Sequence, residues 1–207
     1  MNKEIVGLFF GSFNPIHIGH LAIANYMLAH TEMDELWFVV SPHNPFKKSQ
    51  NILSENDRLH LVNLAIEDRP SYSACDIEFR MPKPSYTVDT LACLGDKYPH
   101  LEFALIMGSD NLEQFHKWKN HEAIIDHYHR YIYPRPETAS QLAEHIPNAT
   151  VVDAPQMDIS STFIRRVIAD GKDVSFYLHD KVYRYIKEMR LYESRRKNGN
   201  SASLCQI

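Results

Sequence analysis

Two histidines, His17 and His20, stand three residues apart with a glycine, Gly19, between them, just past an apolar run that stops at Gly11. Residues three apart at a helix start share a face, so their ring N–H groups can donate to one anion. Gly11 lets the backbone turn and approach a ligand closely, Ser12 offers a hydroxyl and an amide, and Asn14–Pro15 is a turn dipeptide. A helix starting near residue 17 aims its unpaired first-turn amides and positive dipole end at the same loop, which suits a phosphate. Taken alone, the stretch reads first as two surface histidines at a helix start. A zinc pair is a weaker reading, because zinc helices usually place histidines at i and i+4 with a further ligand. The dinucleotide-binding pattern G-x-G-x-x-G is absent.

A second stretch, ISSTFIRR at 159–166, carries related chemistry. Ser160 or Ser161 can cap the helix that follows, and Arg165 then lies in its first turns. Hydroxyls, free amides and a guanidinium together suit a polyphosphate; the plainer alternative is a capped surface helix with a basic face. Lys47 and Lys48 lie in a proline-marked loop, where either can reach a phosphate as a mobile cation or simply stay solvated. Gly108 and Asp110 follow another apolar run. A carboxylate there suits ribose hydroxyls, and Asp110 can also cap a helix.

These residues need elements to hold them. Apolar runs at 4–10, 35–40 and 101–108 read as buried strands, with further strands at 72–79, 129–134 and 149–154. Helical spacing follows Ile18. Ser54 with Asp57 caps a helix through residue 68, and helices are expected at 87–98, 109–115, 121–127, 138–146, 160–171 and 177–192. Strands alternating with helices predict an α/β fold with a doubly wound, mostly parallel sheet and a small helical C-terminal part. Such sheets bind ligands beyond the carboxyl ends of their strands, where the residues named above fall. Residues 1–192 read as one domain. Residues 193–207 read as a polar, disordered tail.

The 207 residues carry a net charge of −4, which argues against nucleic-acid or membrane-surface binding, since both want a basic excess. No apolar run approaches the ~20 residues of a membrane helix, and no signal-peptide pattern opens the chain. Cys75, Cys93 and Cys205 form no C-x-x-C pair, so reduced thiols in a cytoplasmic protein are expected, with Cys75 and Cys93 as buried filler.

In context, GSFNPIHIGHL resembles the nucleotidyltransferase superfamily with its H-x-G-H motif, and ISSTFIR resembles that superfamily's triphosphate-binding motif. KPSYTVDTL (83–91) and MGSDNLEQFHKW (107–118) resemble the bacterial nicotinate-nucleotide adenylyltransferases, and the resemblance spans about residues 4–192. It implies ATP, with Mg²⁺, and nicotinate mononucleotide as small-molecule substrates, giving deamido-NAD and pyrophosphate. It implies His17, His20 and Arg165 as catalytic residues stabilising charge at the α-phosphate. ATP would be held by Gly11, Ser12, Phe13, Gly19, Lys47, Gly108, Asp110, Ser160, Ser161 and Thr162, with Gly19 leaving room for the adenosine. Ser85, Tyr86 and Thr87 would hold the nicotinate end while Trp118 stacks on the pyridinium, because a cationic ring prefers the negative face of indole. Thr87 also opens a helix, so its amide can meet a carboxylate. No resident protein metal site is implied, and a homo-oligomer stays open.

Three positions depart from the family pattern: Asn14 stands for Asp, Glu137 follows Arg135–Pro136 where Gly is usual, and Lys119 stands where an aromatic is frequent. Competing readings are an adenylyltransferase for nicotinamide mononucleotide or phosphopantetheine, and a nucleotide-binding regulator without turnover. The twelve histidines and the HYH at 127–129 prompt a zinc protein. The literal HIGH also resembles class I aminoacyl-tRNA synthetases, against which stand the short chain and the missing K-M-S-K-S.

Overall fold

The computed structural model describes residues 3–42, 52–135 and 146–194. Six strands form one sheet: β1 (Glu4–Gly11), β2 (Glu35–Val40), β3 (Tyr72–Cys75), β4 (Leu101–Gly108), β5 (Arg130–Tyr133) and β6 (Ala149–Val151). All pairings are parallel, in the order β3-β2-β1-β4-β5-β6. The helices among the described residues are α1 (Ile18–His30), α2 (Glu55–Ile66), α3 (Thr87–Lys97), α4 (Leu112–Phe115), α5 (His121–His127), α6 (Ser161–Ala169) and α7 (Asp180–Glu188).

A parallel strand covered on both faces needs a continuous apolar run, and Val6–Phe9 is buried throughout. Alternate side chains then feed two cores. Phe9, Phe38, Ile106 and Tyr133 pack with Ile23 and Met27 of α1, Leu61 of α2, Ile164 of α6 and Val182 of α7. Val6, Leu8, Leu105 and Ile132 pack on the other face with Leu91 and Leu94 of α3 and Ile124 of α5. The C-terminal helix α7 lies against α2 and buries Val182 and Ile186. Each such side chain contributes roughly 1.5–3 kcal/mol, so α7 is part of the fold.

The order reverses between β1 and β4, which leaves a crevice beyond Gly11 and Gly108 at the strands' carboxyl ends. Of the candidate residues, Gly11, Ser12, Ser85, Tyr86, Thr87, Gly108 and Trp118 line a cleft there.

Several boundaries differ from expectation. β3 ends at Cys75 rather than 79, and Ile77–Arg80 form a 3-10 turn. That turn carries the Glu78 carboxylate inward onto two hydroxyls, which a continuing strand would not do. β6 pairs over only three residues, and residues 152–160 then form no regular element. The last helix is shorter at both ends. Asp173 accepts bonds from the Ser175 amide and hydroxyl and from Tyr183, which holds Ser175–Tyr177 as a separate 3-10 turn. At the other end Arg190 and Tyr192 take left-handed φ values of 52° and 65°. Cys93 is exposed on the outer side of α3, not buried filler, because Leu91 and Leu94 occupy the inner side. The expected helix at 138–145, Lys47, Lys48, Pro136, Glu137, Cys205 and the tail from 195 lie outside the described residues. No described helix is long and apolar enough to cross a membrane.

Candidate active site

The loop after β1 is held from several sides. Phe13 adopts a left-handed φ of 43° and folds its ring back over Gly11. A Cβ on Gly11 would meet that ring at 2.7 Å, so the glycine makes room for Phe13. Arg58, fully buried on α2, donates through one nitrogen to the carbonyls of Ser12 (2.6 Å) and Ser41 (2.8 Å). Its other nitrogens donate to Pro42 (2.9 Å) and Leu53 (3.2 Å). One guanidinium therefore ties the loops after β1 and β2 to the start of α2. Asn14 is also buried, and its Oδ1 accepts from the Tyr192 hydroxyl at 2.8 Å and the Leu53 amide at 3.3 Å.

The two phosphate-type motifs, some 150 residues apart in sequence, are bonded to each other. Arg165 donates to the Asn14 carbonyl at 2.7 Å, and the Ser161 hydroxyl donates to the Pro15 carbonyl at 2.9 Å. Arg165 also donates to Thr162 Oγ1 at 3.1 Å. Ser160 is the cap of α6, accepting from the Phe163 amide at 3.2 Å. The choice left open between Ser160 and Ser161 thus resolves into two jobs: one caps the helix, the other docks it on the first loop.

His17 is the N-cap of α1 and His20 lies in its first turn. Their rings stack at 3.7 Å. The His17 amide donates to His20 Nδ1 at 3.3 Å. With Nδ1 accepting, the proton of a neutral His20 sits on Nε2, which becomes a donor. His20 is half-buried beside the Phe13 ring at 5.1 Å. His17 is 4% exposed, and its Nδ1 is buried with no hydrogen-bond partner among the described residues. A Cβ on Gly19 would meet His17 Nδ1 and Cε1 at 3.1 Å. The clearance that Gly19 provides in the free protein therefore serves the His17 ring.

Burial, helped by the nearby Arg135 guanidinium, lowers the His17 pKa to about 4. The neutral ring is thus the folded form at pH 7. The unfolded chain takes up a proton below about pH 6.5 that the folded protein refuses until about pH 4. Stability from this group is therefore complete above pH 6.5 and is lost as pH falls towards 4, by at most about 1.4 kcal/mol per pH unit. Urea midpoints from pH 7 down to 4.5 should fall more steeply for the native protein than for His17→Asn. Parallel curves would contradict the assignment.

Between β1, β4 and α3 lies a cleft of about 500 Å³. Gly11, Ser12 and Gly108 line it, as do Ser85, Tyr86, Thr87, Trp118 and Lys119. Tyr86 is the N-cap of α3, so Thr87 is the first helical residue and its amide has no intrahelical acceptor. Trp118 is half-buried and packs on Phe115 at 5.2 Å. The buried Glu78 accepts from the Ser85 hydroxyl at 3.0 Å and the Thr90 hydroxyl at 2.9 Å. It fixes the Ser85–Thr87 turn from below. Asp110 sits in the middle of the Ser109–Asn111 3-10 turn, not at a helix N-cap. Its carboxylate is half exposed and lies 3.8 Å from Arg135 Nε.

Arg58, Glu78, Arg135 and Tyr192 were not among the sequence candidates. Arg58 had a signal, since it shares a helical face with Leu61, Val62 and Ala65, all buried. Glu78 and Tyr192 had none, because their partners come from distant segments. Of the HYH histidines, His129 has both ring nitrogens engaged, by Asn148 and Thr150, and His127 is exposed in the last turn of α5. Among the described residues no three His, Cys, Asp or Glu side chains converge as a metal site.

Residues 8–167 match the cytidylyltransferase-like family model. The chain is 49% identical over 189 residues to a protein of Cytophaga hutchinsonii named a probable nicotinate-nucleotide adenylyltransferase, covering 91% of this chain and 98% of that one. A protein of the same name from Flavobacterium psychrophilum is 50% identical, with the same coverage of each chain. The fold is similar to that of the Plasmodium falciparum nicotinic acid mononucleotide adenylyltransferase solved with NaAD. The TM-score is 0.73 at 18% identity, covering 91% of this chain and 97% of that one.

Proposed function

The chain belongs to the cytidylyltransferase-like family and, within it, to the nicotinate-nucleotide adenylyltransferases, and on that premise we propose that it joins ATP and nicotinate mononucleotide into deamido-NAD, releasing pyrophosphate. The observation that carries the site assignment is the direct bonding of the two phosphate-type motifs, Arg165 to Asn14 and Ser161 to Pro15, beside a cleft walled by Trp118 and the start of α3. Residues 1–192 act as one nucleotidyltransferase unit in this reading, supported by the span of the family match and by α7 packing on α2. The free Cys75 and Cys93 support a reducing, cytoplasmic setting.

A 5′-phosphate oxygen of the acceptor nucleotide attacks the α-phosphorus of ATP in line. A new P–O bond forms, the bond to the bridging oxygen breaks, and that oxygen leaves with pyrophosphate. The nucleophile is already an anion at pH 7, so no general base is needed. Catalysis consists of positioning and of stabilising charge on the phosphoryl oxygens. His20 offers Nε2–H, His17 shapes the same helix start, and α1 directs its first-turn amides to the loop. Arg165 and Thr162 stand at the start of α6 for the triphosphate. Gly11, Ser12, Gly108 and Asp110 frame the adenosine, with Phe13 and Gly19 holding the loop and the histidine in shape. Lys47 would supply a cation from the loop after β2. Tyr86, Thr87 and Ser85 face the nicotinate end opposite Trp118.

The residues present fit a divalent metal carried by the nucleotide rather than caged by the protein, since a hard cation such as Mg²⁺ takes phosphate and water oxygens and no acidic cluster among the described residues competes for it. Bound there, Mg²⁺ would offset charge on the leaving pyrophosphate.

Pyrophosphate release should depend on both substrates. ATP alone should give none, and adding nicotinate mononucleotide should start it. Release from ATP without acceptor, or none with it, would count against adenylyl transfer and, in the second case, favour a non-catalytic binder. Trp118→Ala should raise KM for the acceptor about tenfold, the scale of a stacking cation–π contact, with KM for ATP little changed. Equal changes in both would remove Trp118 from the acceptor site.

A further inference from the structure

We propose that Lys119 makes this chain selective for a carboxylate on the acceptor's pyridine ring; the proposal rests on the function above. Lys119 follows Trp118 directly. Its ammonium lies 2.8 and 3.1 Å from the two oxygens of Asp89 and 4.9 Å from the centroid of the Tyr86 ring. Asp89 sits in the first turn of α3 and Tyr86 is that helix's N-cap. The side chain therefore reaches from beside Trp118 to the start of α3.

Tyr86, Thr87, Trp118 and Lys119 all line the cleft. A pyridine ring laid on Trp118, with its ring substituent directed at the Thr87 amide, carries that substituent into the span crossed by Lys119. Lys119 is 44% exposed on its side chain and paired with a half-exposed Asp89, so its ammonium is free to swing without leaving a buried charge behind. A carboxylate substituent gains a charge-assisted donor there. A carboxamide gains only a neutral acceptor's share, and its NH₂ group meets a cation. Before the acceptor arrives, Asp89 and the Tyr86 face hold the ammonium at the start of α3. The nearby Lys117 is held elsewhere, on Gln114 at 2.7 Å, which leaves Lys119 as the cation aimed at this position among the described residues.

The test compares acceptors. Steady-state rates are measured with nicotinate mononucleotide and with nicotinamide mononucleotide for the native protein, Lys119→Met and Lys119→Arg. Lys119→Met should lower kcat/KM for the nicotinate acceptor about tenfold, through KM, with the nicotinamide acceptor changed less than about twofold. Lys119→Arg should restore most of the preference, because it keeps the charge. KM for ATP should not move in either variant. If Lys119→Met depresses both acceptors equally, or leaves their ratio unchanged, Lys119 is a structural strap and the proposal is wrong. If the native protein forms no dinucleotide from either acceptor, adenylyl transfer itself fails and the proposal falls with it.

Discussion

Replacing His20 with alanine is expected to lower kcat by about a hundred- to a thousandfold while KM for ATP shifts by no more than about threefold, the scale seen when one preorganised donor to a developing anion is removed. The reasoning is geometric. His20 Nδ1 accepts from the His17 amide, so Nε2 carries the ring's donor and the ring's orientation is set by the helix start. The stacking of His17 on His20 at 3.7 Å and the Phe13 edge at 5.1 Å restrict the ring further. A donor fixed in advance costs no reorganisation when charge builds on the α-phosphate. That is why the loss should appear in turnover more than in ground-state binding. His17→Ala should also lower kcat, through loss of the stacked partner, and should lower stability as well because it empties a buried site. Unchanged turnover in both variants, with far-ultraviolet spectra showing an intact fold, would remove the histidines from the chemistry.

The largest expected effect on stability is at Arg58. Arg58→Met should cost about 3–5 kcal/mol, because it strips the donor from carbonyls gathered around a buried guanidinium. For a chain of this size that corresponds to a fall of roughly 10 °C in Tm. Burial pushes the Arg58 pKa below the usual arginine value, but the side chain stays charged near neutrality. Arg58→Lys should recover little, since an ammonium has three donors in a compact cone and cannot match the spread of the guanidinium. Both variants should also lose activity beyond their unfolding. The same carbonyls belong to Ser12 of the nucleotide loop and to Ser41 and Pro42 of the loop after β2. A thermal melt within about 2 °C of the native protein would contradict this reading of the clamp.

What was legible in the sequence follows from what is local. The strands β1, β2 and β4 were readable because a strand covered on both faces must be apolar at nearly every position, as Val6–Phe9 is. The helix start at His17 and the Ser160 cap were readable because both depend on residues within one turn. The end of β3 was not, since what turns the chain there is Glu78 bonding to Ser85 and Thr90 in a later element. The separate turn before α7 was missed for a similar reason: Asp173 reaches both the next residues and Tyr183 on the following helix.

Around the candidate site the division is the same. The motifs named the groups that face the crevice, but not the groups that hold them. Asn14 shows this best. As a departure from the family pattern it had no evident role. In the fold its side-chain oxygen is taken by Tyr192 and Leu53, and its backbone oxygen by Arg165. An amide suits that position, because its oxygen accepts two bonds without placing a buried charge beside the loop. Gly19 is a second case. Its sequence context suggested space for a nucleotide, and the structure adds that its missing Cβ leaves space for the His17 ring.

The central claim is that this cleft accepts adenylyl from ATP onto a pyridine mononucleotide bearing a carboxylate. It is tested most directly by incubating purified protein with ATP, Mg²⁺ and nicotinate mononucleotide, with nicotinamide mononucleotide in parallel, and determining product masses. The account predicts a dinucleotide of the mass of deamido-NAD, with equimolar pyrophosphate, formed much faster than the amide product. A product from the amide alone, or hydrolysis of ATP with no dinucleotide from either acceptor, would contradict it.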